Sequence, residues 1–572
     1  MKRAHAMKRA LRPGAIGVAA LLCMAATAQA QVQAQPVPSA GDVQRSVQPP
    51  VAPTPRAADT GAVQISKPAP AAPSASSVRI QVRGIKITGA TVFSNEMLTS
   101  LVGDLMGKQV NVADLQAAAQ RITDQYEQAG YAVARAVLPE QDIVDGVVEF
   151  LVLEGRVGKV SIDNKSLVGD GQARRMLGEV PAGAVVHEPS LERRLLLLGE
   201  TPGASRATVN LQPGASTGET DLNFLVEPGP RVSGQVDADN HGNRYTGYYR
   251  LTGTVNINSP LGLGDQVQIR ALVTDENLRN VRLGYRTPVG GSGLNVGASW
   301  SDLRYELGRE YDYLRANGYA RIGSVFLSYP LQRSLDRNLL ATVTYDNKAF
   351  KDRVGAVGPD ATTSRRSQLL SLALNAYGNV DTGALTPATY AAAAVLSHGE
   401  LDIKTDAVRN IDATTARTDG GFTKLAATGN LTWPIATNWS LFGAAYGQLA
   451  SKNLDASEKL SLGGATGVRA YPQGESPGDE GYIVSGEVRY TIPLQPVQVA
   501  AFVDAGGIRV NDKPYTAASN KRFLSGAGAS ITWAPQPTMG LKLMVASRLG
   551  SEKVESEPDA ATRWWLQGLW RF

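Results

Sequence analysis

The chain has 572 residues, 43% of them hydrophobic and 19% charged, with one cysteine and a formal net charge of +5. The excess lies entirely in residues 1–13, at Lys2, Arg3, Lys8, Arg9 and Arg12, so the neutral remainder gives no reason to expect a nucleic-acid partner. Cys23 falls inside the apolar run that follows, which leaves the rest of the chain without disulfide or thiol chemistry.

That basic start, the run "AIGVAALLCMAA" and the small residues "AQA" at Ala28–Ala30 predict a secretory signal peptide over residues 1–30. Leu22, not a small residue, precedes Cys23, so lipidation is not expected. Residues 31–77 are rich in Pro and Ala, with prolines from Pro36 to Pro73, and such a composition buries no core; a disordered linker is expected.

Two small α+β units follow. Residues 78–156 open with the alternating strand "VRIQVRGIKITGA". Two helices come next, the second carrying Leu115, Ala119, Ile122 and Tyr126 on one face, with Asn111 as cap and Gly130 as stop. Two strands complete a β-α-α-β-β order, and residues 157–229 repeat it. Each unit is expected to carry a small sheet with exposed edges, where an extended partner segment can add as a strand.

From residue 230 to 572 helical periodicity gives way to segments of 8–13 residues with strict alternation. Tyr249, Leu251, Val255 and Ile257 oppose Arg250, Thr252, Thr254 and Asn256 in one; Val499, Ala501, Val503 and Ala505 oppose Phe502, Asp504 and Gly506 in another. Tilted strands of about 9–11 residues span a bilayer. Sixteen such segments, eleven before a Gly-rich loop and five after it, predict a sixteen-stranded antiparallel transmembrane barrel. The last, "WWLQGLWRF", ends on Phe572 in the manner of the C-terminal signal by which outer-membrane barrels are inserted.

The loop, residues 463–481, contains "GATGVRAYPQGESPGDEG" and admits neither helix nor strand. Spacing alone leaves Arg469 two settings: exposed on an extracellular loop, or folded inward against a lumen-facing Asp504. Glu487 also faces the lumen, where it suits pairing with a wall arginine better than general-acid work. His187, His241 and His398 are scattered, without metal-ligand spacing or a Ser-His-Asp grouping, and no phosphate-binding glycine loop is present, so neither an enzyme nor a metal or other cofactor is expected.

The loop and the later "FVDAG" together resemble motifs of the two-partner secretion transporters (the TpsB family, as in filamentous haemagglutinin and haemolysin secretion) of the POTRA-barrel superfamily. Val468, Arg469 and Tyr471 match the loop motif, with Ala470 in place of its central glycine, and Gly478, Asp479 and Gly481 fall in the same run; Phe502, Asp504 and Gly506 match the barrel motif. The likeness covers residues 78–572. It implies two POTRA domains, a sixteen-stranded barrel with the loop tucked into the pore, and an Arg469–Asp504 latch. It also implies a place in the outer membrane of a Gram-negative bacterium, with the POTRA domains in the periplasm. The partners implied are a secreted exoprotein, outer-membrane lipid and, during biogenesis, the barrel-assembly machinery. Some relatives carry a plug helix before the linker; residues 31–50, with several prolines and no clear apolar face, do not announce one. The alternative functions are an outer-membrane protein insertase and, further off, a passive porin.

Overall fold

The computed structural model describes residues 37–47, 61–65, 79–178, 180–358, 360–383 and 386–572. The expected signal peptide lies outside these residues.

In the first α+β unit, strand Gly84–Thr88 runs parallel to Val147–Leu153, which pairs antiparallel with Arg135–Val137. Helix Val112–Gln128 starts at a reciprocal cap: Asp114 N–H donates to Asn111 Oδ1 at 2.8 Å and Asn111 N–H to Asp114 Oδ2 at 2.9 Å. Its buried face, Leu115, Ala119, Ile122 and Tyr126, packs on Val148, Phe150 and Val152, the alternate residues of the central strand. Gly130, at φ +88°, ends the helix where only glycine turns left-handed without strain.

The second unit has the same order. Strand Arg156–Asn164 is parallel to Glu219–Pro228, which pairs antiparallel with Ala204–Pro213, and helices Asp170–Leu177 and Glu188–Gly199 cover the sheet. Arg156 joins the units, donating to Glu154 and Thr91 on one side and to the Gly183 carbonyl on the other.

The barrel closes through sixteen antiparallel strands in chain order, from Val232–Asp239 to Thr562–Arg571, and the last pairs with the first from Gln235↔Arg571 to Asp239↔Gln567. The strand count and the inward and outward faces follow the alternation: Leu251, Val255, Val499 and Val503 are exposed on the outer wall, whereas Thr252, Phe502 and Asp504 are buried inside. Strand lengths are unequal. The first three have 8, 9 and 9 residues, and the sixth to eighth, Ala316–Arg333, Arg337–Val354 and Thr362–Val380, have 18, 18 and 19. The second α+β unit rests on one rim: Arg193 donates to the Pro330 carbonyl at 2.7 Å, Gln172 to that of Gly290 at 3.0 Å, and Arg333 pairs with Glu200. With the α+β units expected in the periplasm, that rim is the periplasmic one and the opposite rim the extracellular one.

Within the stretch expected to be a disordered linker, two elements are present. Strand Gly61–Ile65 adds in parallel to Ala204–Pro213, from Gly61↔Ala207 to Ile65↔Leu211. Helix α1, Ala40–Val47, occupies the barrel lumen. The proline-rich average hid a proline-free window in which Ala40, Val43 and Val47 share one face, and Ser39 caps it by hydrogen bonding with Asp42. That face joins Leu272, Leu303, Tyr305 and Phe350 of the inner wall in one buried cluster.

Candidate functional site

Between the eleventh strand, Trp439–Ala450, and the twelfth, Glu480–Thr491, the chain folds back into the barrel. Leu462, Val468, Ala470 and Tyr471 are fully buried there, in one apolar cluster with Phe502, Leu524, Met544 and Trp565 of the wall. This apolar seat brings Arg469 to the thirteenth strand, Val497–Arg509.

Arg469 makes a dense set of hydrogen bonds. Its Nε and Nη2 donate to the two oxygens of Asp504 at 2.8 and 2.7 Å, its backbone N–H adds a third bond to that carboxylate at 3.1 Å, and Nη1 donates to Glu487 Oε1 at 2.6 Å. Ser485 links both partners, accepting from Arg469 Nη2 at 2.9 Å and donating to Asp504 at 2.8 Å. The guanidinium lies 3.4 Å above the Phe502 ring, and the Arg469 carbonyl accepts from Trp565 Nε1 at 2.8 Å. Arg489 holds the other oxygen of Glu487 at 2.7 Å, so two cations balance two anions. Asp504 is 0% exposed, Arg469 5% and Glu487 7%, which removes the solvent screening that makes surface pairs weak.

The glycines make this approach feasible. A Cβ on Gly506 would sit 3.0 Å from Leu462 Cδ2, and one on Gly526 would sit 2.5 Å from the Cβ of Ala470. Ala470 is not among the residues with positive φ, so alanine in the family's glycine position carries no backbone strain, and Gly526 opposite provides its space.

The remaining motif residues fasten the ends of the loop. Tyr471 donates to the Glu552 carbonyl at 2.9 Å. Asp479, fully buried, accepts from the backbone of Leu454 at 3.0 Å and Asp512 at 2.9 Å, and pairs with Lys459. Gly478 and Gly481 lie against the carbonyls of Arg509 and Gly507, where a Cβ would come within 2.7 and 2.5 Å. Phe572 lies elsewhere, at the barrel seam, exchanging backbone hydrogen bonds with Gly234 at 2.9 and 3.0 Å.

Several anchors were not read from the sequence. Ser485 had a signal: the turn before Val497 fixes a register in which Ser485 opposes Asp504 directly. Glu475, buried and bound to Arg522 and the backbone of Glu555 and Ser556, had none, because its partners are about 50 and 80 residues away and depend on how the loop folds. A second ionic group lies deeper along the loop. Glu458 accepts from Lys348 at 2.6 Å and Lys424 at 2.7 Å, and Arg365 bridges Asp455 and Asp352. Helix α1 lies on this turn: Ala40 N–H donates to Asp352 at 2.7 Å and Arg45 to the Ala456 carbonyl. Loop turn, inner wall and helix α1 thus meet inside the lumen. Among the described residues no group of His, Cys, Asp and Glu could hold a metal ion.

A closed sixteen-stranded barrel with an apolar outer wall, α+β units on one rim and an inward, ionically fastened loop defines a β-barrel protein of the outer-membrane type. Residues 218–533 match the family described as "Haemolysin secretion/activation protein ShlB/FhaC/HecB", and residues 80–155 match "POTRA domain, ShlB-type"; the chain belongs to this secretion family. It is 28% identical over 467 residues to the heme/hemopexin transporter protein HuxB of Haemophilus influenzae (79% of this chain, 80% of the relative). It is 25% identical over 503 residues to the outer membrane transporter CdiB of Escherichia coli (85% and 81%). The solved structure of CdiB from Escherichia coli superposes with a TM-score of 0.69 at 20% identity, covering 99% of this chain and 100% of that one. The protein is thus an outer-membrane transporter of two-partner secretion, with POTRA domains in the periplasm.

Proposed function

We propose that this transporter is built around a latched loop and a removable plug, and that its cognate exoprotein passes unfolded through the lumen once helix α1 leaves. The carrying observation is the buried Arg469–Asp504–Glu487 group, which holds the loop against one wall while α1 rests on its far side. Helix and loop meet through few polar bonds, so the helix is the part that yields. The exoprotein docks on the POTRA domains by strand addition; the segment Gly61–Ile65, already added to the edge of Ala204–Pro213, supports that edge as a strand acceptor. No nucleotide drives the step; folding outside the cell and loss of backward diffusion give it direction. Polar inward faces offer the moving backbone transient hydrogen bonds without tight binding. The barrel-assembly machinery inserts the barrel, reading the last strand that ends at Phe572.

The test is to delete the gene and compare secreted, surface and periplasmic proteins with wild type by mass spectrometry. One or two large proteins lost from the outside, with fragments in the periplasm, support a dedicated transporter. Depletion of many barrels from the outer membrane makes it an insertase instead, and no change at all leaves a passive pore.

A further inference from the structure

On the long-strand side the outer wall carries two zones. Leu283, Trp300, Val325 and Tyr345 are exposed, outward-facing and apolar, as a lipid-facing band requires. Toward the extracellular rim the same outward faces turn basic. Arg279 pairs across strands with Arg304, Arg304 with Tyr319 and Tyr319 with Lys351, which sets three cations in one row. One step nearer the lipid, Asp302 pairs with Arg321, and the next step down is Leu283 opposite Trp300. With about 3.3 Å per residue, the cations stand roughly 7–13 Å along the strands from the top of the apolar band.

Arg279, Arg304, Arg321 and Lys351, together with Arg353, line a recess of about 810 Å³ on the barrel exterior, whose lining also holds Glu306 and Glu276, the latter paired with Arg309. Arg304 and Arg321 share the single carboxylate of Asp302, at 2.9 and 2.8 Å, and Arg321 stacks on Tyr319 at 4.5 Å. Arg279, Lys351 and Arg353 form no ion pair with the other described residues. Like charges directly opposite in a sheet, as Arg279 and Arg304 are, destabilise it unless an anion lies between them. The patch faces sideways into the membrane plane, neither into the lumen nor up toward emerging polypeptide.

We propose that this recess binds the phosphorylated sugar headgroup of the glycolipid of the outer leaflet, with acyl chains lying on the apolar band below and phosphates held by Arg279, Arg304 and Lys351. The site is independent of the secretion route: it needs neither the loop nor the plug. Arginine pairs with phosphate through parallel N–H···O bonds, and the row presents two guanidiniums and an ammonium on one outward cross-strand line, as a two-phosphate headgroup requires.

The test measures binding of diphosphoryl lipid A, and of the same lipid with its phosphates removed, to the purified full chain in detergent by native mass spectrometry. The expected result is retention of the phosphorylated lipid, with the dephosphorylated lipid and the variant Arg279→Gln/Arg304→Gln/Lys351→Gln each weaker by about tenfold or more. Should that variant not assemble, Lys351→Gln/Arg353→Gln, which breaks no ion pair, gives the same readout. Equal retention of both lipids, or unchanged binding by the variants, overturns the proposal. Displacement by inorganic phosphate at the lipid's own concentration makes the site one for free phosphate and also overturns it. Loss of exoprotein release with lipid binding intact assigns the patch to the polypeptide and does the same.

Discussion

Replacing Arg469 by alanine removes every bond that its guanidinium makes to the wall, at Asp504, Glu487 and Ser485. Glu487 keeps Arg489, but Asp504 keeps only the Ser485 hydroxyl at 2.8 Å and the backbone N–H of residue 469 at 3.1 Å, and it has no cation left. Removing one partner of a buried pair typically costs about 3–5 kcal/mol, because the other charge stays buried and uncompensated. At about 1.4 kcal/mol per tenfold, the docked loop loses two to three and a half orders of magnitude relative to undocked forms. The barrel ladder is untouched, so the variant is expected in the outer membrane at wild-type abundance, with residues 463–481 cut by added protease and exoprotein output strongly reduced. Arg469→Ala/Asp504→Ala removes the stranded charge as well, so it should recover stability without recovering secretion. Normal exoprotein output from normal amounts of Arg469→Ala, or an equally protected loop, refutes the latch.

Gly526→Ala places a methyl 2.5 Å from that of Ala470; overpacking of this kind costs about 1–3 kcal/mol, and Ala470→Gly in the same chain should restore heat resistance and secretion. A Cβ at Gly41 lies 2.9 Å from the backbone nitrogen of Ser457, so Gly41→Leu should push α1 off its seat and raise single-channel conductance in planar bilayers; unchanged conductance counts against the plug. Burial pushes the Glu154 carboxyl up, but bonds from the Thr91 hydroxyl and backbone, Val92 and Tyr126 outweigh it and hold the group below the usual carboxylate range. Its contribution is therefore complete above the unfolded carboxylate pKa and lost as pH falls through the lowered folded value. Glu154→Gln should destabilise the POTRA pair at pH 7 and flatten its loss of stability in acid, as followed by thermal melts at pH 7 and pH 4.

What could be read from the sequence follows the range of each interaction. Strand alternation is a nearest-neighbour pattern, so the barrel strands and the lumen-facing positions of Phe502, Asp504 and Glu487 were legible. Hairpin register is nearly as local, and it places Ser485 opposite Asp504. The inward course of the loop depends on glycines that matter only once both walls exist, such as Gly526 facing Ala470 across 56 residues. Helix α1 was lost to averaging, since a window of eight residues sits among prolines and its apolar face needs the inner wall to bury it. Strand Gly61–Ile65 had no signal at all, because its partner is a sheet edge more than a hundred residues away.

The unequal strands give the barrel a lopsided mouth. An 18-residue strand is about 60 Å long and, tilted near 40°, rises about 45 Å, whereas a 9-residue strand rises only about 23 Å, close to the apolar thickness of an outer membrane. The sixth to eighth strands therefore stand as a parapet on one side of the exit, and the first three end near the membrane surface. A polypeptide leaving the pore has a hydrogen-bonded wall at its back and open water in front, so its first folded turns form on the low side, away from the wall.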